Sequence, residues 1–284
     1  MTGEVGKLIG ILVVLGICLT LAGGAIETAQ AAETCTWSGA VSTDWHEPGN
    51  WDSCVDTSED PKEPGGTDAV IIGAGASSYP VLSIYDGTIT VDTLTIDAGG
   101  SLTIDERIHV SAGEFTNHGT ILVEEETGHG LHIYAPFDNH GTVNTGAEGF
   151  LALHMAGTHT GDFAGRQLSF AHSNLPEENV FETSSSIDVE DIFFGDSHVV
   201  MIYGQFTCRD DFILNGDGAV VTISTAGLID LGTLNILAGE LILEMDGGTY
   251  NPSGTMAVPS GGTLEGIGTI DGGLENGGTV SPGA

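Results

Sequence analysis

Phe115-Thr116-Asn117-His118-Gly119-Thr120-Ile121 recurs 22 residues later as Phe137-Asp138-Asn139-His140-Gly141-Thr142-Val143. A third version, Leu274-Glu275-Asn276-Gly277-Gly278-Thr279-Val280, stands near the end of the chain. In each copy an apolar residue precedes Asn, and Gly-Thr-aliphatic follows. Gly is expected to supply a bend through a positive φ, and the β-branched Thr to open the next strand, so the unit reads as a corner. Gly-Thr before an aliphatic residue or Met recurs at Gly87, Gly119, Gly141, Gly232, Gly254, Gly262, Gly268 and Gly278, and 232 to 254 repeats the 22-residue interval. Corners at one period indicate a solenoid. Short segments between them, such as Thr93-Leu94-Thr95-Ile96 and Ser101-Leu102-Thr103-Ile104, alternate polar and apolar with period two and read as half-buried strands.

A rung of about 22 residues with short strands and no helix fits a parallel β-helix better than a leucine-rich or helical repeat. The expected fold is all-β, a right-handed parallel β-helix over residues 68–284, and the alternative is an antiparallel sandwich or barrel. Coils stacked at ~4.8 Å place equivalent residues in ladders. Asn117 above Asn139 is then an asparagine ladder in which side-chain amides satisfy the bent backbone and one another. The stretch from Asn174 to Asp211, with Pro176-Glu177-Glu178 and Ser184 to Ser186, breaks the pattern and reads as a loop carried on one coil.

Of the 284 residues, 40 are Asp or Glu and 5 are Lys or Arg, giving a formal charge of −35. Such a chain lacks the cations to neutralise phosphates, which argues against nucleic acid and against an anionic membrane surface. A hydrophobic content of 40% and a mean hydropathy of +0.15 nevertheless supply enough apolar surface for a core. Much of the Gly, 44 residues in all, then marks corners of a coil instead of slack linker.

Residues 1–31 read as a signal peptide: a short n-region to Lys7, an apolar run from Leu8 to Gly23 interrupted by Thr20, and the small-x-small signal Ala29-Gln30-Ala31. Cleavage leaves no stable membrane insertion and places the chain outside the cytoplasm, on the cell surface or in the medium. Cys35, Cys54 and Cys208 then meet an oxidising compartment, and a Cys35–Cys54 bridge with Cys208 left free is the expected pairing. Trp37, Trp45 and Trp51 crowd into residues 32–67 at no helical spacing, with a turn at Pro48-Gly49. Such a cluster suits a cap that plugs the open end of a β-structure; exposed, the same rings would stack on sugars.

The Trp-Ser-Gly, Asp-Trp and Asn-Trp run at 37 to 51 resembles the opening of large exported bacterial proteins in which a tryptophan module precedes a β-helix. The tail from Gly261 to Gly283 is similar to the strand repeats of autotransporter passengers and filamentous-haemagglutinin-like adhesins. The resemblance implies adhesion or a structural role at a cell surface. In those families a Val-Ser-Pro-Gly turn leads into further coils and an anchor, so truncation at Ala284 is also an expectation.

Chemistry is sparse. A uronate lyase needs basic groups, and residues 32–284 hold Lys62, Arg107, Arg166 and Arg209 alone. Glycosidases need two carboxylates at a set separation, whereas Asp210-Asp211 or Glu190-Asp191 are strand neighbours that face opposite ways. Eight of the ten histidines lie between His109 and His172. At a 22-residue period His118 stacks near His140 and His132 near His154, which makes these four weak candidates for a transition metal, against the plainer reading of polar stacks. Outward acids such as Asp92, Asp97 and Asp105 suit weak, distributed Ca²⁺ without a dedicated site. The expected function is therefore non-catalytic, structural or adhesive, against an extracellular surface or polysaccharide; the alternative is a carbohydrate-binding or polysaccharide-processing β-helix.

Overall fold

The computed structural model describes residues 32–284 apart from 57, 84–86, 125–127, 172–176, 196–197, 225–227, 245–248, 251–254, 259–262, 267–268, 271–272 and 283–284. Side chains are described to residue 224 except 216–218, and thereafter at Val258 and 273–281. The signal peptide read over residues 1–31 lies outside the described residues.

Alternating sequences become strands with one buried face. In Thr93–Ile96 and Ser101–Ile104 the Leu and Ile side chains are buried and the Thr and Ser are half-exposed. These strands stack in parallel as three ladders. The first runs Thr34–Trp37, Ala69–Ile72, Thr93–Ile96, Glu114–Asn117, Phe137–Asn139, Gly157–His159, Glu177–Phe181, His198–Ile202 and the end of Gln205–Ser224. From Ala69 to Ser224 this makes about seven turns, and the pairing continues through Leu228–Glu244, Thr263–Gly266 and Thr279–Pro282. The second ladder aligns Leu102, Ile121, Val143, Phe163, Ile187 and Phe206. The third aligns Val110, Ile133, Leu153, Phe170, Phe194 and Leu214. Among the described strands the antiparallel exception is Thr34–Trp37 with Trp51–Asp52, so the sandwich and barrel alternatives do not apply.

The inward residues form one continuous core. Aromatic rings stack along it, with Phe170 and Phe194 parallel at 5.0 Å and Phe194 to Phe212 also at 5.0 Å. A ladder of buried polar groups lies at the corner between the first and second ladders. Asn117 Nδ2 donates to Asn139 Oδ1 at 2.7 Å, while each Asn Oδ1 accepts from the backbone N–H two residues on, at Gly119 and Gly141. The third copy keeps that local bond, Gly278 N–H to Asn276 Oδ1 at 3.0 Å.

Two readings of the sequence are corrected. Gly119 and Gly141 do not adopt a positive φ; their missing Cβ is required because the preceding coil's backbone occupies its place. The stretch from Asn174 to Asp211 is not a loop over its described residues, since Glu177–Phe181, Ser186–Phe194 and His198–Ile202 each join a ladder. Its corner is built by Ser185, whose N–H and Oγ both donate to Glu182 O, so the Asn-x-Gly signature is missing where the coil is not.

Residues 32–67 form an incomplete first coil, with Thr34–Trp37 on the first ladder and Asp44 bridged to Val81 on the second. Cys35 and Cys54 are disulfide-bonded and Cys208 is free and buried, as the cysteine pattern implied. Buried Asn50 ties the segment together: its Oδ1 accepts from Val41 and Ser42 N–H, and its Nδ2 donates to Ser42 Oγ and Asp44 O. Closing a loop of 19 residues stabilises by about 3 kcal/mol in the chain-entropy model. Because every tryptophan lies in this segment, its fluorescence reports the cap alone. A Cys35→Ser/Cys54→Ser variant is expected to red-shift that emission at markedly lower denaturant than the loss of β-sheet circular dichroism; an unchanged fluorescence midpoint would show that packing, not the bridge, holds the cap.

Candidate functional site

In-register pairing makes outward side chains run in rows along each face, and on the third face two rows gather aromatic, imidazole and guanidinium groups. One row reads Arg107, Gly130, Phe150, Gln167, Asp191, and the next His109, His132, Ala152, Ser169, Phe193. Gly130 decides the shape. A Cβ there would lie 2.3 Å from Phe150 Cε1 and Cζ, so its absence lets the Phe150 ring lie back across the rung. Arg107 then places its guanidinium carbon 5.4 Å from that ring's centroid, and His132 meets the ring edge-on at 5.2 Å.

Beyond His132 the second row carries the small residues Ala152 and Ser169 until Phe193. Over three strand spacings, ~14 Å, the surface therefore sinks toward the backbone. The result is a cleft of about 480 Å³, a size ordinary for small-ligand sites. Its sides carry Arg107, Arg166 and Gln167. Arg166 is held by Glu148, with Nη1 to Oε2 at 2.9 Å, and Gln167 Nε2 donates to Ser169 Oγ at 2.7 Å. The cleft thus gathers two of the four Lys and Arg residues of 32–284.

Beside it stands a stack of rings. Tyr134 and His154 are parallel at 3.9 Å, His109 and His132 lie 4.6 Å apart, and His132 Nδ1 is 3.1 Å from His154 Nε2. Burial first, then mutual repulsion with His109, holds both His132 and His154 down to about 4. Near neutral pH they are uncharged, and one imidazole donates to the other.

The four histidines named from the sequence are thus paired but not pooled. His118 and His140 stack at 4.8 Å and 16° on the exposed corner between the first and second ladders, and His140 Nδ1 reaches Thr160 Oγ1 at 2.7 Å. Among the described residues neither pair gathers a third close ligand. Among the described residues the tightest grouping of ligand atoms is Cys35, Cys54 and Asp68, but both sulfurs are in the disulfide and Asp68 bonds Lys62 Nζ at 2.7 Å.

Trp37, Trp45 and Trp51 are 2%, 2% and 4% exposed. They pack edge to face, Trp51 against both others at 4.8 Å, and their indole N–H groups donate to Ser78 O and Trp45 O where described for Trp37 and Trp51. Trp45 borders a hollow of about 210 Å³ beside His46 and Thr88 without baring its face. Sugar stacking on these rings is therefore corrected to core packing of the cap.

Phe150 and Phe193 were not singled out from the sequence, and Arg107 and Arg166 were named only among its few bases. Placing the four in one cleft needs the true rung intervals. No protein family, curated protein or solved structure matches the chain.

Proposed function

We propose that this chain is an exported, non-catalytic solenoid that works by lateral contact with an extracellular surface or polysaccharide, in the manner of autotransporter-like and filamentous-haemagglutinin-like adhesins. The observation that carries the reading is the three-ladder coil of the described residues with a cleft on its flank. A rigid rod that repeats its outward rows suits distributed contact. Among the described cleft-lining residues the one carboxylate, Glu148, is engaged by Arg166, which leaves no opposed pair of acids for glycoside hydrolysis. The resemblance of residues 37–51 and 261–283 to surface proteins supports the location.

The test expresses the full chain in a bacterial host and recovers it by compartment, then measures retention on polysaccharide-coated surfaces and release of reducing ends. Export with Ala32 as the new N-terminus, retention, and no reducing ends are expected. Cytoplasmic protein that keeps residues 1–31, or steady release of reducing ends, would overturn the proposal.

A further inference from the structure

We propose that the cleft on the third face is a binding site for a single carboxylate-bearing sugar residue, at the end of an otherwise neutral glycan, and that it rejects a continuous polyanion. The inference rests on the contact-surface reading and supplies its ligand class.

Charge placement comes first. The chain carries 40 acids and 5 bases, yet this cleft holds Arg107 and Arg166. Glu148 neutralises Arg166 at 2.9 Å. Arg107 is exposed, is backed by the Phe150 ring at 5.4 Å, and among the described residues has no ion-pair partner. A guanidinium with one face on an aromatic ring keeps its edge donors for a planar carboxylate. His132 next to it remains neutral near pH 7, held down to about 4 by burial first and by His109, so it adds a hydrogen-bonding ring without adding charge.

The walls match a sugar better than a peptide terminus. Half-exposed Phe193 closes one end and offers a ring to the C–H face of a pyranose. Ala152 and Ser169 form a shallow floor, while the Gln167–Ser169 bond leaves the Gln167 Oε1 acceptor and the Ser169 hydroxyl proton for ligand hydroxyls.

Neighbouring charge limits the ligand's length. The row that begins at Arg107 continues past Gln167 to Asp191, whose Oδ1 accepts from Asp211 N–H at 3.2 Å. Burial and the nearby Asp210 and Asp191 raise the Asp211 carboxyl, which marks a region already crowded with negative charge. A polyuronate that starts on Arg107 and runs along the axis would bring a later carboxylate onto these acids, four strand spacings or ~19 Å along the row. A lone terminal acid avoids them.

Calorimetric titration of the full chain would use methyl glucuronide, methyl N-acetylneuraminide, the methyl ester of each, a linear oligogalacturonate and an N-acetylated dipeptide acid. One or both free-acid glycosides are expected to bind, with at least a tenfold loss for the ester and for Arg107→Met, and loss of binding in Ala171→Trp, which fills the cleft. Arg209→Met removes a cation from elsewhere and is expected to change nothing. Equal affinity for acid and ester, indifference to Arg107→Met and Ala171→Trp, or stronger binding of the oligogalacturonate or the dipeptide would overturn the inference. Retention on polysaccharide surfaces, measured on the same variants, separates the two proposals: retention untouched by Arg107→Met with no sugar binding sinks the cleft alone. Arg107-dependent sugar binding without any surface retention sinks the contact-surface reading alone.

Discussion

Gly141→Ala is expected to disrupt the coil at its middle, at a cost of roughly 4 kcal/mol or more, placing it among exceptional single substitutions. The added Cβ would lie 2.1 Å from Gly119 O, 2.8 Å from His118 C and 2.9 Å from Gly119 N, all backbone atoms that no rotamer change can move. The clash is also not local. Gly119 would meet Gly100 O at 2.3 Å and Gly161 would meet Gly141 O at 2.1 Å, so the corner is a glycine ladder in which each rung rests on the carbonyl of the last. Lifting one rung strains its neighbours' hydrogen bonds, such as Thr142 N–H to Gly119 O at 2.9 Å. A solenoid's stability is a sum of rung and interface contributions, so a broken interface is expected to split the melt into two steps and to open a protease-sensitive corner near residue 141. Gly87→Ala is the informative control. Gly87 has a φ of +53° and nothing within 4 Å of its missing Cβ, so alanine there costs only the left-handed backbone penalty, about 1 kcal/mol. Equal destabilisation by the two substitutions would show that backbone conformation, not close approach, explains the corner.

That contrast shows what the sequence made legible. Two seven-residue copies sufficed for the period, the corner and the asparagine ladder, because local chemistry and stacking demand the same residues there. The reason for Gly119 was hidden, since one letter serves both a positive φ and a forbidden Cβ. The cleft was hidden for a different cause. A fixed 22-residue period sets His132 against His154, whereas the hydrogen-bond register sets His132 against Ala152, and Ala152 against Ser169. Intervals of 20 and 17 residues on this face differ from 22 because corners absorb insertions and deletions while the ladders keep their pairing. The half-correct His132–His154 contact, real at 3.1 Å, arises as a diagonal neighbour and not as a rung. The Trp cluster was read correctly as a plug because three large rings within fifteen residues of a disulfide have few other ways to become buried.

The same corner yields a pH dependence. One rung after Asn139 the ladder position is taken by His159, fully buried, with Nε2 3.3 Å from Asn179 Oδ1 and Nδ1 unpartnered. Burial is the largest cause of a pKa lowered to about 4; the Asn179 bond and Asp138 push upward, and His140 pushes down. In the unfolded chain the ring titrates near 6.5. Between these values the unfolded state binds the extra proton, so stability is fully present above about pH 6.5 and falls as pH drops toward 4. At pH 5 the loss from this residue is on the order of 2 kcal/mol, at about 1.4 kcal/mol per pH unit. His132 and His154 act in the same direction, with smaller effect because both are half-exposed. Carboxylate protonation relieves the repulsion of so acidic a chain, but that opposing gain belongs to lower pH, near 4. Asp68 does not enter this window: burial alone would raise it, yet bonds from Lys62, Gly65 and Glu33 and the Lys62 charge hold it below its usual value, so its contribution is lost only at stronger acidity. His159→Asn extends the asparagine ladder and removes the titration. The native chain is expected to lose several degrees of melting temperature between pH 7 and pH 5, and the variant clearly less, whatever their difference at pH 7. Parallel curves for the two proteins would mean that His159 is not the group that acid charges.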